Sequence, residues 1–410
     1  MAEEEVGEIQ KNFSKNLMNV VKSYKYRLYP NREQQELLNK TFGCVRFYWN
    51  NLVESFNSYE KESNPSPKFK TQKELKKEFG WLSEVSAAAL QQKKRDFDEA
   101  KKQYFNKNRK SPIGRMKFKS KKNEQSYRLP NQKFKVIGNK IQLEKIGLVK
   151  MVMERELPIN SKLLSVTVSR NSSGEYYASI NFEIEQEVKN KKSKENVGID
   201  LGLKEIATLS NGLQFHNPKV FTKSQCELAK AQRHLSRKKK GSNRYEKQAR
   251  KVAKIHQSIT NRRDWYLHNV SKFIVENFNE IGMEDLHIKG MVKNRRLSKS
   301  ISDTSMAKLK QFIAYKQKEY GMEVKLLNRF EPSTKECSEC GHNQTMMLSD
   351  RTFVCQNCGV VKDRDWNASI VIRNKTVGVN AVQQTWSDIK TKLHHDVKWR
   401  LLRSVETIIE

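Results

Sequence analysis

Four cysteines form two closely spaced pairs in the last third of the chain. Cys337 and Cys340 make one C-x2-C pair, and Cys355 and Cys358 make the second. A C-x2-C turn can present two thiolates to one ion, and four thiolates suit the tetrahedral geometry of Zn²⁺. The spacing therefore predicts one structural zinc ion with no coordination position left for a substrate. The alternative is two independent redox-active pairs.

Acidic side chains stand out in three apolar or helix-starting segments of this basic chain. Asp200 lies within VGIDLG, Glu284 within IGMED, and Asp363 and Asp365 within DRDWN. A carboxylate in an apolar strand is costly to bury unless it has a partner. Three carboxylates brought together from distant segments can hold two Mg²⁺ ions and support phosphodiester hydrolysis. Taken singly, Asp285 and Asp363 could instead be surface caps.

The charge balance indicates a polyanionic partner. The chain has 410 residues, with 79 Lys and Arg against 46 Asp and Glu, giving a formal net charge of +33. Such an excess repels itself unless phosphates neutralise it, so nucleic acid is the expected partner. No apolar run reaches the roughly 18–20 residues needed to span a bilayer. Because the start, MAEEEVGEIQ, does not resemble a signal peptide, we expect a cytoplasmic protein with no membrane partner.

One segment is a specific candidate for nucleic-acid binding. Residues 106–121 alternate cations with Met116 and Phe118 and contain no acid. A basic ribbon with an interleaved aromatic suits a phosphate backbone, although a solvated loop is the alternative. The candidate contacts are Arg115, Lys117, Lys119, Lys121 and Lys122.

The periodicity of apolar residues places these motifs on distinct elements. Residues 22–29 alternate as a strand, and Asn31 can cap a helix with an apolar stripe from Leu38 to Phe56. Several short strands are predicted between residues 124 and 186, with a hairpin loop at 171–174. The early strand could join them in a small barrel, which would make the helical block between them an insertion.

Taken together, the motifs resemble a known family, the TnpB-type proteins. These are transposon-encoded RNA-guided DNA nucleases related to type V CRISPR effectors. The motifs occur in the family's order, and the resemblance covers about residues 22–385. Its segments are residues 24–51, 118–122, 125–130, 198–210 (GIDLGLKEIATLS), 281–291 (IGMEDLHIKGM), 332–341 (PSTKECSECG), 355–359 (CQNCG) and 363–369 (DRDWNAS). Ser369 departs from the alanine more usual in the family.

The resemblance implies a multidomain α/β fold. It consists of an RNase H-like (RuvC) nuclease domain with an inserted zinc ribbon, and a small β-barrel (wedge) domain carrying a helical recognition insertion. The implied catalytic, magnesium-binding residues are Asp200, Glu284 and Asp365, with Asp363 as the alternative to Asp365. Two catalytic Mg²⁺ ions and one structural Zn²⁺ are the implied cofactors.

The resemblance also implies the domain boundaries. The expected parts are a flexible N-terminal extension (1–21), a wedge-like barrel (22–30 and 123–190), a helical recognition domain (31–122), a RuvC-like nuclease domain (191–335 and 360–385), a zinc module (336–359) and a basic C-terminal tail (386–410).

The implied function is RNA-guided cleavage of DNA. A guide RNA from the transposon end would pair with double-stranded target DNA next to a short flanking motif, and one monomer per guide RNA is the favoured assembly. The alternative is a nuclease-inactive, RNA-guided DNA-binding repressor of the same fold.

Overall fold

The computed structural model describes residues 17–62, 69–106, 108, 114–328, 331, 333–347 and 350–378. The described residues divide into two compact units. The first comprises the residues up to Val188 together with residues 224–260, and the second comprises residues 189–223 and those from Asn261 onward. The predicted C-terminal tail and residues 1–16 of the predicted extension lie outside the described residues. Within the described ranges, no helix has the length and apolar character needed to cross a membrane.

The first unit contains a seven-stranded antiparallel sheet. Its strands are β1 (Leu17–Tyr29), β2 (Gln125–Pro130), β3 (Phe134–Ile137), β4 (Lys140–Leu143), β5 (Gly147–Val152), β6 (Lys162–Arg170) and β7 (Tyr176–Glu187). Their order is β2-β6-β7-β1-β5-β4-β3. The early strand thus joins the later strands, as predicted, in a sheet close to a barrel.

The first strand begins earlier than its pattern predicted. We expected a strand from residue 22, but β1 starts at Leu17, which pairs with Glu187. Four of the five residues from 17 to 21 are apolar, and β7, which extends to Glu187, offers them backbone partners. Residues 17–21 are therefore strand and not extension.

Three helices share the core of this unit: α1 (Arg32–Glu62), α2 (Gln72–Glu78) and α3 (Ala87–Tyr104). The predicted cap is confirmed, because Asn31 Oδ1 accepts a hydrogen bond from the Gln34 backbone N–H at 2.8 Å. The predicted stripe is buried at Leu38 and Phe56. Apolar residues at helical spacing thus form α1 by packing against the sheet.

The second unit contains a five-stranded mixed sheet. Its strands are β8 (Val197–Asp200), β9 (Glu205–Leu209), β10 (Gln214–His216), β11 (Ile281–Glu284) and β12 (Lys325–Leu327). In the order β10-β9-β8-β11-β12, the first three strands are antiparallel and the last three are parallel. Short apolar strands of this kind need cover on both faces.

The C-terminal part of α5 (Asn243–Asn277), α8 (Met306–Lys318) and α9 (Arg364–Thr376) supply that cover. The other helices after residue 217 are α4 (Val220–Ser236), α6 (Ile288–Met291) and α7 (Ser298–Thr304). Ile199 and Met283 share a buried cluster with Leu309 of α8. The opposite face of the sheet, with Gly198 and Gly282, lies against α9.

A small hairpin precedes α9. Strand β13 (Thr352–Val354) pairs antiparallel with β14 (Val361–Asp363), and the second cysteine pair lies in the turn between them. Strand β14 leads directly into α9, so the cysteine hairpin and the acidic DRDWN motif are adjacent in the chain.

Candidate active site and metal centre

Asp200 and Glu284 end two neighbouring parallel strands at the same level. Gly282 pairs with Gly198, and Met283 with Ile199. One residue further on, Glu284 lies beside Asp200. Neighbouring strands are about 4.8 Å apart, and in-register side chains project from the same face. Two segments separated by more than 80 residues therefore place two carboxylates side by side, which the register shows directly.

Helix α9 brings the third acid to this pair. A Cβ atom at Gly198 would lie 2.1 Å from the Ser369 carbonyl oxygen, and one at Gly282 would lie 1.9 Å from Thr376 Oγ1. Only glycine permits such close packing of helix on sheet. A Cβ at Gly202 would be 4.0 Å from Asp365 Oδ2, so the start of α9 lies over the loop after β8.

The electrostatics of Asp200 reflect its burial and the two neighbouring acids. Desolvation raises the pKa of Asp200 well above its ordinary value, and the charges of Glu284 and then Asp365 raise it further, while Arg364 opposes them. Part of the residue remains accessible, but its carboxyl group is largely removed from water. Burial and the neighbouring acids therefore both disfavour the charged form of Asp200.

The other two carboxylates have hydrogen-bond donors. Ser333 Oγ donates to Glu284 Oε1. Arg364 donates to Asp365 Oδ1 from Nη2 at 2.9 Å, and Arg351 Nη1 lies 3.9 Å from Asp365 Oδ2. Such donors orient a carboxylate without filling its acceptor capacity.

Asp363 has a different environment from Asp365. Its Oδ1 accepts the backbone N–H groups of Asp365 and Trp366, both at 3.0 Å, and so caps α9. Of the two acids in DRDWN, Asp365 is the one whose charge acts on Asp200. The two acids have the same chemistry, and only the helix start distinguishes them.

The acidic cluster suits hard divalent cations by the chemistry of its donors. Mg²⁺ prefers carboxylate oxygens, and a cation would relieve the repulsion on Asp200. The three carboxylates are more widely spaced than the cysteines: among the described residues, only the four cysteines have ligand atoms that all lie within 4.8 Å of one another. A wider set is compatible with two ions about 3.5–4 Å apart.

The four predicted cysteines do converge. Cys337 Sγ lies 3.7 Å from Cys358 Sγ, and Cys340 Sγ lies 3.5 Å from Cys355 Sγ. Four sulfurs at about 2.3 Å from one zinc ion would be roughly 3.8 Å apart. The thiols therefore already have the spacing of a tetrahedral Cys₄ zinc site.

The two cysteine turns have the same backbone design. Gly341 N–H donates to the Cys337 carbonyl and Gly359 N–H to the Cys355 carbonyl, each at 3.0 Å. Both glycines have left-handed φ values, +72° and +71°, which other residues rarely adopt. The Asn357 side chain donates to Cys340 Sγ and helps to lower the pKa of that thiol to about 6, which favours the metal-binding thiolate.

The predicted basic segment runs along α1. The Trp49 indole N–H donates to the Lys117 carbonyl at 3.2 Å, and the Asn50 side chain bonds both backbone groups of Lys119. Lys119 Nζ lies 4.3 Å from the Trp49 ring centroid, and desolvation together with Lys93 lowers the pKa of Lys119 to about 8. All five candidate cations are exposed: Arg115, Lys117, Lys119, Lys121 and Lys122.

Sequence reasoning missed several residues that organise the acids: Gly282, Ser333, Arg351, Arg364 and Asn367. One signal was available, because a glycine precedes the acid by two positions in both VGID and IGME. That repeat marks two strands whose glycine face accepts a helix. The roles of Ser333 and Asn367 depend on tertiary contacts and had no local signal.

Three family models match the chain. The OrfB family of IS605, described as "Probable transposase", matches residues 179–295, and a "Cas12f1-like, TNB domain" matches residues 307–372. A third, described as "Helix-turn-helix domain", matches residues 18–63. In the described part of that range, the structure contains β1 followed by the single helix α1.

Two relatives match over most of their length. The chain is 35% identical to a "Putative RNA-guided DNA endonuclease" of Streptomyces pristinaespiralis, over 86% of this chain and 89% of the relative. It is 30% identical to "Putative RNA-guided DNA endonuclease InsQ" of Escherichia coli, over 86% and 91%. The chain therefore belongs to the TnpB family (OrfB of IS605).

A solved structure gives a more distant likeness. The cryo-EM structure of a Cas12f1–sgRNA–target DNA complex aligns with a TM-score of 0.45 and 14% identity, covering 87% of this chain and 99% of that one. At this TM-score the likeness supports no further conclusion about the protein.

Proposed function

We propose that the protein is an RNA-guided DNA endonuclease that uses a transposon-derived guide RNA to cut complementary double-stranded DNA beside a short flanking motif. Asp200, Glu284 and Asp365 would hold two Mg²⁺ ions. When bound, such ions activate water and stabilise the leaving oxygen of a phosphodiester. Family membership supports guided nuclease activity, and the acidic cluster supports the choice of residues.

One observation carries the catalytic assignment. Desolvation raises the pKa of Asp200, and two acids that lie 84 and 165 positions further along the chain raise it further. Folding has placed repelling charges together, which costs stability unless a cation or a reaction uses them. A repressor that only binds nucleic acid would not need this arrangement, so the intact cluster favours the nuclease over the inactive alternative.

The second unit is the proposed nuclease domain. We assign its mixed sheet and α9 to the RuvC-like fold, with the segment that carries the four cysteines as a zinc ribbon inserted before α9. The near-barrel sheet of the first unit is the proposed wedge domain, with α1 to α3 as its recognition helices. In this assignment the parallel strand ends carry the acids, where open α/β sheets commonly place their sites.

The exposed cations of the first unit support binding of nucleic acid. Residues 114–122 present their basic side chains outward while α1 holds their backbone. The α4–α5 connection adds Arg237–Lys240, all of them exposed. Phosphates neutralised by such groups give affinity independent of sequence, and base pairing with the guide would supply specificity.

The test is cleavage of guide-matched DNA by the purified complex in Mg²⁺, with EDTA as the metal-free control. We expect D200A to reduce cleavage at least about a thousandfold, because several kcal/mol of transition-state stabilisation depend on the metal ions. Guide RNA binding should remain at the wild-type level. Wild-type cleavage by D200A would refute the assignment, and guided binding without cleavage by the wild type would establish the repressor.

A further inference from the structure

The segment that leads into the first cysteine turn, residues 333–338, is hydrogen-bonded to two parts of the candidate active site. Ser333 Oγ donates to the Glu284 carboxylate, and the Asn367 side chain bonds the backbone on both sides of Cys337. Resting on the function proposed above, we infer that Ser333 and Asn367 are positioning residues through which the zinc site fixes the Glu284 and Asp365 carboxylates.

Asn367 links the helix of Asp365 to the zinc site. Its Nδ2 donates to the Glu336 carbonyl at 2.7 Å, and its Oδ1 accepts the Ser338 backbone N–H at 3.0 Å. The side chain is fully buried, so an amide without these partners would be costly. Asn367 is two residues from Asp365 in the first turn of α9, and a shift of the cysteine turn would therefore move the start of that helix.

Ser333 links the same segment to the second acid. The residue is 4% exposed, and its hydroxyl donates to Glu284 Oε1. Glu284 ends β11, whereas Ser333 follows β12, so this contact holds the side chain from outside its own strand. A donor to one carboxylate oxygen orients the other lone pairs towards a cation.

Two further contacts attach residues 333–338 to α9 and β14. Lys375 of α9 pairs with Glu336, and Lys362 Nζ donates to Ser338 Oγ at 3.1 Å. Cys337 lies between Glu336 and Ser338, the two residues whose backbone Asn367 binds. Coordination of Cys337 by zinc would thus fix the peptide groups to which α9 is attached.

The experiment measures Mn²⁺ binding to the full-length, zinc-loaded protein by calorimetry at one fixed pH, with D200N defining binding that does not involve the cluster. We expect S333A and N367A to weaken the D200N-sensitive binding about 10–100-fold, the range typical of residues that orient metal ligands. S333T, which keeps the hydroxyl, should restore near wild-type affinity. Zinc content and thermal midpoint are recorded for every variant.

Ser369 offers a matched control on the same helix. It is fully buried, but its hydroxyl donates to the Trp366 carbonyl of its own helix at 2.7 Å. S369A should therefore bind Mn²⁺ as the wild type does. Wild-type affinity in folded S333A, or an equal loss in S369A, would overturn the inference. Should N367A fail to fold, S333A and S333T still decide the matter.

A zinc-site variant tests the coupling itself. C358S alters a ligand in the second turn, away from the hydrogen-bond partners of Asn367, and should lower zinc content and Mn²⁺ affinity together. Loss of zinc with unchanged Mn²⁺ affinity would show that the zinc site does not position the acids. If the wild type and D200N bind Mn²⁺ equally, the acidic cluster does not bind the ion. That result would contradict the proposed function itself, and not the positioning roles of Ser333 and Asn367.

Discussion

At the scale of single residues, identical side chains have different tasks because of where the backbone places them. Asp363 and Asp365 are separated by one residue. Asp363 caps α9 through two backbone N–H groups, whereas Asp365 lies near enough to Asp200 to raise its pKa. The helix start turns one carboxylate back towards the backbone and the other towards the sheet.

This difference predicts opposite outcomes for two conservative substitutions. D365N should reduce DNA cleavage at least about a hundredfold, because a neutral amide binds Mg²⁺ less strongly than a carboxylate does. D363N should retain cleavage within about threefold, since asparagine is as good a helix cap as aspartate. The measurement is single-turnover cleavage by both variants in saturating Mg²⁺. A greater loss in D363N than in D365N would reverse the assignment.

At the scale of elements, the proposed active site depends on how closely α9 approaches β8 and β11. Gly198 and Gly282 lie on the sheet face that also carries Asp200 and Glu284, and backbone and side-chain atoms of α9 occupy the space of their missing side chains. The same glycines that let the helix pack therefore set the distance from Asp365 to the other two acids.

Adding one methyl group at Gly198 tests whether α9 must pack this closely on the sheet. In G198A the new Cβ would lie 2.1 Å from the Ser369 carbonyl and 2.4 Å from the Arg373 backbone nitrogen. The helix must move, so we expect a loss of about 2–3 kcal/mol in the free energy of unfolding together with loss of cleavage. Denaturant unfolding and cleavage assays measure the two effects.

Gly43 provides the matched control. It lies within α1, and a Cβ added there would meet no heavy atom within 4 Å beyond its chain neighbours and the adjacent helix backbone. G43A should therefore be neutral or stabilise the protein by up to about 1 kcal/mol, because alanine is the better helix former. Equal stability of G198A and the wild type would mean that α9 does not pack on the sheet as described.

At the scale of the whole molecule, the net charge of +33 favours binding to a polyanion, because bound phosphates relieve the repulsion among the cations. Many cations have acidic partners. Among the described residues, no ion pair involves Lys117, Lys121 or Lys122, and all three side chains are exposed. Neutralising this group should remove phosphate contacts without disturbing a fold held by backbone bonds to Trp49 and Asn50.

The salt dependence of guide RNA binding tests that role. In K117Q/K121Q/K122Q, the slope of log K against log salt should become shallower by about 2–3, since each phosphate contact contributes roughly 0.7–0.9. Filter binding at several salt concentrations measures the slope, and cleavage should decline only as far as RNA loading does.

A second triple variant removes the same charge from cations that have partners. Lys162 lies 3.8 Å from Glu183, and Lys192 and Lys272 each lie 3.8 Å from a Glu276 oxygen. K162Q/K192Q/K272Q should leave the slope close to that of the wild type. An equal change in both triples would mean that total charge, and not the segment at residues 114–122, determines binding.

The amino-acid sequence by itself determined the chemistry of both sites. The C-x2-C spacing is a local property of a tight turn, so the cysteines could be assigned without the fold, and they do converge within 4.8 Å. Periodicity likewise predicted α1, its Asn31 cap and the strands of the first sheet, because each depends on neighbours close in sequence.

Tertiary structure alone decided which distant groups meet. Asp200 and Glu284 lie side by side because of the register of two parallel strands. That register is set by long-range pairing, which no local pattern encodes. The same holds for Ser333 beside Glu284 and for Asn367 on the first cysteine turn. These contacts join segments that are far apart in the chain, so their partners exist only once the sheet, the zinc turn and α9 have packed together.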